Sequence, residues 1–211
     1  MLSDLLKVIH QNNFLLKKNN RGRLIVISSP SGAGKTTITK KLVSKKKNIE
    51  LSVSITTRKP RPNEVANKDY TFVNKETFQK LIKKKSFLEH AKVFGNYYGT
   101  LKKNINRKIR QNKKIILDID WQGARQIKKH LPKSTTTIFI LPPSLKELKK
   151  RLTKRESSKD FIKLRMSKAK KEITHWKEYD YVVVNDNLNK CVNEIKKILH
   201  LIDKQPKYLG F

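Results

Sequence analysis

The segment from Leu24 to Thr37 restricts the fold more than any other. An unbroken apolar run, Leu24-Ile25-Val26-Ile27, leads into a turn of small residues, Ser29-Pro30-Ser31-Gly32-Ala33-Gly34. Lys35-Thr36-Thr37 then opens a helical pattern. An apolar run without alternation suits a strand buried on both faces, as in a parallel sheet covered by helices on each side. The turn has the chemistry of an anion cradle. Small residues let a phosphate approach backbone N–H groups, and the helix tip behind them adds a favourable field. Lys35 supplies a charge for the β- and γ-phosphates of a nucleotide, and the Thr36 hydroxyl a ligand for Mg²⁺. The usual phosphate-loop pattern starts with Gly, and Ser29 stands in that place here.

Strand, turn and helix recur further along. Ile115-Ile116-Leu117 precedes a helix expected over about 121–130. Thr137-Ile138-Phe139-Ile140-Leu141 precedes a helix from about Leu145. Tyr181-Val182-Val183-Val184 precedes a last helix with Leu188, Val192, Ile195, Ile198, Leu199 and Ile202 at helical spacing. The expectation is an α/β fold, a phosphate-loop NTPase type of parallel sheet with helices on both faces. Two stretches interrupt the alternation. Residues 55–100, rich in Thr, Arg, Pro, Asn and Tyr, read as an inserted lobe, and the polar stretch 153–165 as a flap. Residues 1–22 read as an extension ahead of a domain over 23–202, and 203–211 as a tail.

A net charge of +33 invites a phosphate-rich partner. Yet Lys outnumbers Arg by 40 to 10, and Asn (16) and Ile (20) are abundant too. That pattern fits compositional drift better than selection for nucleic acid, where the planar Arg fork serves best. No nucleic-acid reader motif appears, so no specific nucleic-acid partner is expected. A single cysteine, Cys191, excludes an internal disulfide and fits a reducing compartment. No apolar run reaches the roughly 18 residues of a membrane span, and the N-terminus lacks a cleavable signal pattern. Cytoplasm is the expected location.

A phosphate loop does not name a reaction. A guanine-binding GTPase would carry Asn-Lys-x-Asp after a later strand; Asn67-Lys68-Asp69 has the wrong spacing and lies in the inserted lobe. Other blocks are more specific. They are Thr56-Thr57-Arg58-Lys59-Pro60-Arg61-Pro62, Lys68-Asp69-Tyr70-Thr71-Phe72-Val73, Phe87-Leu88-Glu89-His90-Ala91 and Gly95-Asn96-Tyr97-Tyr98-Gly99-Thr100. Leu117-Asp118-Ile119-Asp120-Trp121-Gln122-Gly123-Ala124 and Tyr179-Asp180-Tyr181-Val182-Val183-Val184-Asn185-Asp186 follow. In order and spacing they resemble the guanylate kinase family over residues 23–202.

The resemblance implies a core holding ATP, a lobe holding GMP and a lid, with Mg²⁺ accompanying ATP and dGMP as a further acceptor. ATP would lie on Ser29, Pro30, Ser31, Gly32, Ala33, Gly34, Lys35, Thr36 and Thr37, with Asn185 near the adenine. Arg58 and Arg61, three residues apart on a Pro-stiffened segment, can clamp a monophosphate by charge-assisted hydrogen bonds, with Tyr70 and Tyr98 adding hydroxyls. Glu89 matches the position that accepts from N1–H and the 2-amino group of guanine. Asp120 matches the place beside that amine, and Ser54 and Thr100 match donors to O6. Lys35, Arg151, Arg155 and Arg165 match the catalytic cations, although Glu156 departs from a family Gly in the loop between them. Thr36 and, through water, Asp118 match the Mg²⁺ side; capping of the next helix is the other use open to Asp118. Catalytically silent modules of this family tend to lose the phosphate loop, which this chain keeps.

Overall fold

The computed structural model describes residues 24–44, 48–62, 64–111, 113–155 and 158–204, without the side chains of residues 155, 203 and 204. The expected extension over 1–22 and most of the tail over 203–211 lie outside the described residues, as do residues 156 and 157 between the two helices of the flap region.

Strand β1 (Leu24–Ser28) runs through the middle of a five-stranded sheet and is buried at every position. The other strands are β2 (Ile49–Leu51), β7 (Lys114–Asp118), β8 (Thr135–Leu141) and β9 (Tyr181–Val184), in the order β2-β7-β1-β8-β9. All pairings are parallel. The chain earns this arrangement by having helices for both faces. Ile25 and Ile27 point to one side, among Ile38 and Leu42 of α1 (Lys35–Val43) and Ile195, Ile198 and Leu199 of α7 (Leu188–Lys204). Leu24 and Val26 point to the other, among Ile105 of α3 (Lys102–Arg110) and Ala124 and Ile127 of α4 (Trp121–His130). Each of these large aliphatic side chains contributes about 1.5–3 kcal/mol by burial.

Residues that break the alternation build a second, four-stranded sheet of order β4-β3-β6-β5. It comprises β3 (Ser54–Thr56), β4 (Tyr70–Phe72), β5 (Phe87–Val93) and β6 (Asn96–Leu101). Helix α2 (Lys75–Lys83), capped by Asn74 accepting from the Thr77 N–H at 2.8 Å, covers it. Ile55, Phe78 and Phe87 form its core, with the Phe78 and Phe87 rings stacked at 4.5 Å. A separate small core lets this layer be shaped independently of the parallel sheet.

The described parts of the stretch 153–165 are more regular than their polarity suggests. Helix α5 (Leu145–Arg155) precedes α6 (Lys159–Thr174), which starts from Ser158, whose hydroxyl accepts from the Phe161 N–H at 3.4 Å. Ile162, Met166, Ala169 and Ile173 recur at helical spacing, and Ala169 packs on Leu148 and Leu152 of α5. Phe161 and Leu164, by contrast, face outward. Exposed apolar residues in the first two turns obscure the period that the rest of α6 follows.

Candidate active site

A cleft of about 610 Å³ lies between the ends of β1 and β7, the second sheet and α6. The phosphate loop forms one wall. Gly34 caps α1 with φ 95°, and Gly32 has φ 91°, conformations that disfavour a side chain. Space forbids one as well. A β-carbon on Gly34 would lie 2.6 Å from Nδ2 of Asn185, and one on Gly32 would lie 2.9 Å from Leu152. Asn185 is buried and donates from Nδ2 to the Ala33 carbonyl at 2.7 Å. It therefore fastens the loop from the end of β9, and its amide faces the loop rather than the open cleft.

Pairing of Ile27 with Asp118 sets the two strand ends side by side, and Lys35 forms an ion pair with Asp118. The Thr39 hydroxyl donates to the other Asp118 oxygen at 3.3 Å. Burial lowers the Lys35 ammonium to about 8, while the carboxylates of Asp120, Glu172 and Glu89 pull it upward. Below that value the amine keeps its charge. The helix-capping alternative for Asp118 is taken by Asp120 instead, which caps α4 by accepting from the Gly123 N–H at 3.0 Å and from Nε2 of Gln122 at 2.9 Å.

The second sheet supplies the opposite wall. Glu89 on β5 is only 3 % exposed, and the Thr100 hydroxyl on β6 donates to it at 2.7 Å. The Ser54 hydroxyl lies 3.5 Å from that of Thr100. Burial raises the Glu89 carboxyl to about 7, opposed by the Thr100 hydrogen bond. A buried carboxylate beside two hydroxyls is a recognition surface for a flat, polar edge: the acid accepts while the hydroxyls can donate.

Toward the mouth, Arg58 follows the buried β3. Its Nη2 donates to both oxygens of Glu64, at 2.8 and 2.9 Å. Glu64 also accepts from the Arg61 N–H at 2.9 Å and pairs with its guanidinium at 3.6 Å. Partial burial works upward on Glu64, but these arginines hold its carboxyl below the usual range. The Arg58 guanidinium lies over the Tyr70 ring at 5.4 Å, and the Tyr70 and Tyr98 rings meet edge-on at 6.1 Å. Two arginines and two phenols thus converge at one place, the donor set for a phosphate monoester.

Helices α5 and α6 close the third side. Arg151 donates from Nε to Glu147 at 3.1 Å and from Nη2 to the Asn185 carbonyl at 3.1 Å. Arg165 donates from Nη1 to the Ser31 hydroxyl at 2.8 Å, and Glu172 accepts from the Ser31 N–H at 3.1 Å. The side chain of Arg155 is outside the described residues. Glu64, Glu172, Thr39 and Phe94 are at the site without having stood out in the sequence. Glu64 could have been found from its place three residues after Arg61, where it faces a charge it can pair. Glu172 sits among the lysines of a 16-residue helix, and Thr39 is one of several threonines in α1, so nothing local singles them out.

A phosphate cradle at the end of a parallel strand, facing a second pocket of paired arginines, phenols and a buried carboxylate, defines a nucleotide-binding protein of the phosphate-loop class. The guanylate kinase family model matches residues 21–201. The chain is 46% identical over 187 residues to guanylate kinase of Maricaulis maris (strain MCS10), covering 88% of this chain and 86% of that one. It is 48% identical over 182 residues to guanylate kinase of Wolbachia pipientis wMel, covering 86% and 90%. The crystal structure of guanylate kinase from Anaplasma phagocytophilum superposes with a TM-score of 0.75 at 37% identity, covering 89% of each chain. This chain belongs to the guanylate kinase family.

Proposed function

We propose that this protein transfers the γ-phosphoryl group of ATP to GMP, giving ADP and GDP, with dGMP as a further acceptor and nucleotide recycling in the cytoplasm as its setting. The observation that carries the reading is the meeting, in one cleft, of the Lys35 cradle with the Glu89 and Arg58–Arg61 pocket. In each role the residues do what their chemistry allows. Residues 29–37 hold the donor phosphates, and Asn185 keeps the loop in shape. Arg58, Arg61, Tyr70 and Tyr98 hold the acceptor phosphate. Glu89 accepts from N1–H and the 2-amino group of guanine, with Asp120 beside that amine, and Ser54 and Thr100 serve O6. Adenine offers a bare N1 that would face the same carboxylate, so the pocket rejects it.

An oxygen of the GMP phosphate attacks the γ-phosphorus in line. The new P–O bond forms as the bond to the β,γ-bridging oxygen breaks, and ADP leaves with that electron pair. GMP is largely dianionic near neutrality, so no general base is needed. Positioning and charge neutralisation do most of the catalysis. Lys35, Arg151 and Arg165 carry positive charge to the transferring group, and Arg155 is assigned to the same task. Mg²⁺ fits the donor chemistry here. Thr36 offers an exposed hydroxyl at the loop's end, and Asp118 a carboxylate oriented by Thr39, oxygen ligands of the kind this ion prefers beside phosphates. Bound with ATP, it would neutralise charge on the β- and γ-phosphates.

A coupled assay of ADP release with GMP, dGMP, AMP, UMP and dTMP tests the reading. GMP is expected to lead the panel; no turnover with GMP, or preference for another base, would reject it.

A further inference from the structure

We infer that Phe94 is a positioning residue that ties the acceptor lobe to Arg165, an inference that rests on the kinase reading and deepens it. Phe94 and Gly95 form the two-residue connection between β5 and β6, with Val93 opposite Asn96. Their φ angles are 48° and 80°. Turns with both central residues at positive φ favour Asn or Gly in the first place, and an aromatic residue there is strained. The hairpin gains nothing locally from phenylalanine. Nor does the lobe's core use it, since that core is built on Ile55, Phe78 and Phe87.

The ring instead reaches the cleft and meets α6. The Arg165 guanidinium lies 4.8 Å from its centroid and the Lys168 ammonium 4.2 Å. These two cations sit one helical turn apart, so a single ring engages both. Arg165 then passes on to the phosphate loop, donating to the Ser31 hydroxyl. Two turns beyond Arg165 on α6, Glu172 accepts from the Ser31 N–H. The hairpin tip, the arginine and the loop form one continuous set of contacts. A guanidinium held near an aromatic face is attracted by the ring's electron-rich surface. An aliphatic side chain of similar volume would fill the space without that attraction. Strain kept at a residue whose contacts lie at a functional cleft points to use rather than accident. Arrival of the acceptor lobe and orientation of Arg165 are, on this inference, one event.

The test uses the full chain and compares wild type with Phe94→Asn, Phe94→Leu and Phe94→Tyr. Asn suits the turn better than Phe, so its melting temperature should match or exceed that of wild type. Turnover of Phe94→Asn should nevertheless fall about tenfold, with KM for ATP and GMP within about twofold. Phe94→Tyr, which keeps the ring, should restore turnover to within about threefold. In a double-mutant cycle on an Arg165→Gln background, removing the ring should cost little further, because its effect passes through Arg165. If Phe94→Asn folds poorly, Phe94→Leu enters the cycle in its place. Wild-type kcat in the well-folded Asn or Leu variant, or additive losses in the cycle, would overturn the inference while leaving an active kinase intact. An inactive wild type would instead remove the kinase reading itself, and this inference with it.

Discussion

The Glu89 carboxylate abuts Gly123: its Oε2 lies 2.5 Å from where a β-carbon on that glycine would be. The first turn of α4 therefore leaves room for Glu89, the acid proposed above as the reader of the acceptor base. Gly123→Ala should improve helix propensity by up to about 1 kcal/mol, yet push Glu89 from its place beside Thr100. The expected outcome is a loss of about 10- to 100-fold in kcat/KM for GMP, carried mainly by KM. Initial-rate kinetics with thermal melting of the same sample will separate the two effects, and unchanged KM for GMP would show that Glu89 is not the reader.

Titration of Glu89 gives a second prediction. Burial raises its folded pKa to about 7 from an ordinary 4.5. On the proposed role only the ionised form can accept from guanine, so guanosine affinity should rise as pH increases through about 7. Guanosine avoids the titration of the GMP phosphate itself. Calorimetric binding between pH 6 and pH 8 reads this, and a flat profile would reject it. Stability runs the other way: the folded state holds the proton more tightly, so the group's contribution to stability is lost as pH rises through the folded pKa. Glu89→Gln should flatten both profiles and admit AMP as a poor acceptor.

Lys35→Met removes the cation beside Asp118 and the donor phosphates. Turnover should fall on the order of 10²- to 10³-fold, while KM for GMP stays within a few-fold because the proposed seat of the acceptor phosphate is Arg58 and Arg61. Retained turnover would refute the loop's role.

Glu64→Gln keeps the size of the side chain but removes the charge that draws Arg58 and Arg61 together. KM for GMP should rise about three- to tenfold, as expected for weakening a charge-assisted hydrogen bond, with guanosine binding unchanged. A parallel loss for guanosine would mean that Glu64 shapes the lobe and not the arginines alone.

Features that depend on neighbours in sequence were legible in advance. Ser29 to Thr37 announce a cradle because strand, small-residue turn and helix are contiguous, and 121–130 reads as a helix from its own pattern. The blocks around Arg58, Glu89 and Asp118 carry enough residue types at fixed spacing to name a family. What escaped involves elements far apart in the chain. Glu172 is one acid among many lysines on α6, and only packing brings it to Ser31. Asp120 carries a capping duty as well as its place in the cleft, and nothing in its neighbours separates the two uses. Asn185 marks the end of an apolar run, but its amide serves the Ala33 carbonyl, a partner 152 residues away. Exposed Phe161 and Leu164 hide the period of α6, whose first turns fall within the stretch read as a flap.

That span has a further meaning for the making of the protein. Lys35 meets its carboxylate partner 83 residues downstream, and the loop around it is fastened from 152 residues downstream. A growing chain released from synthesis at its midpoint would own the loop's sequence without a finished grip on nucleotide. Nucleotide can then favour only molecules that have been made as far as Asn185, leaving shorter products to proteolysis.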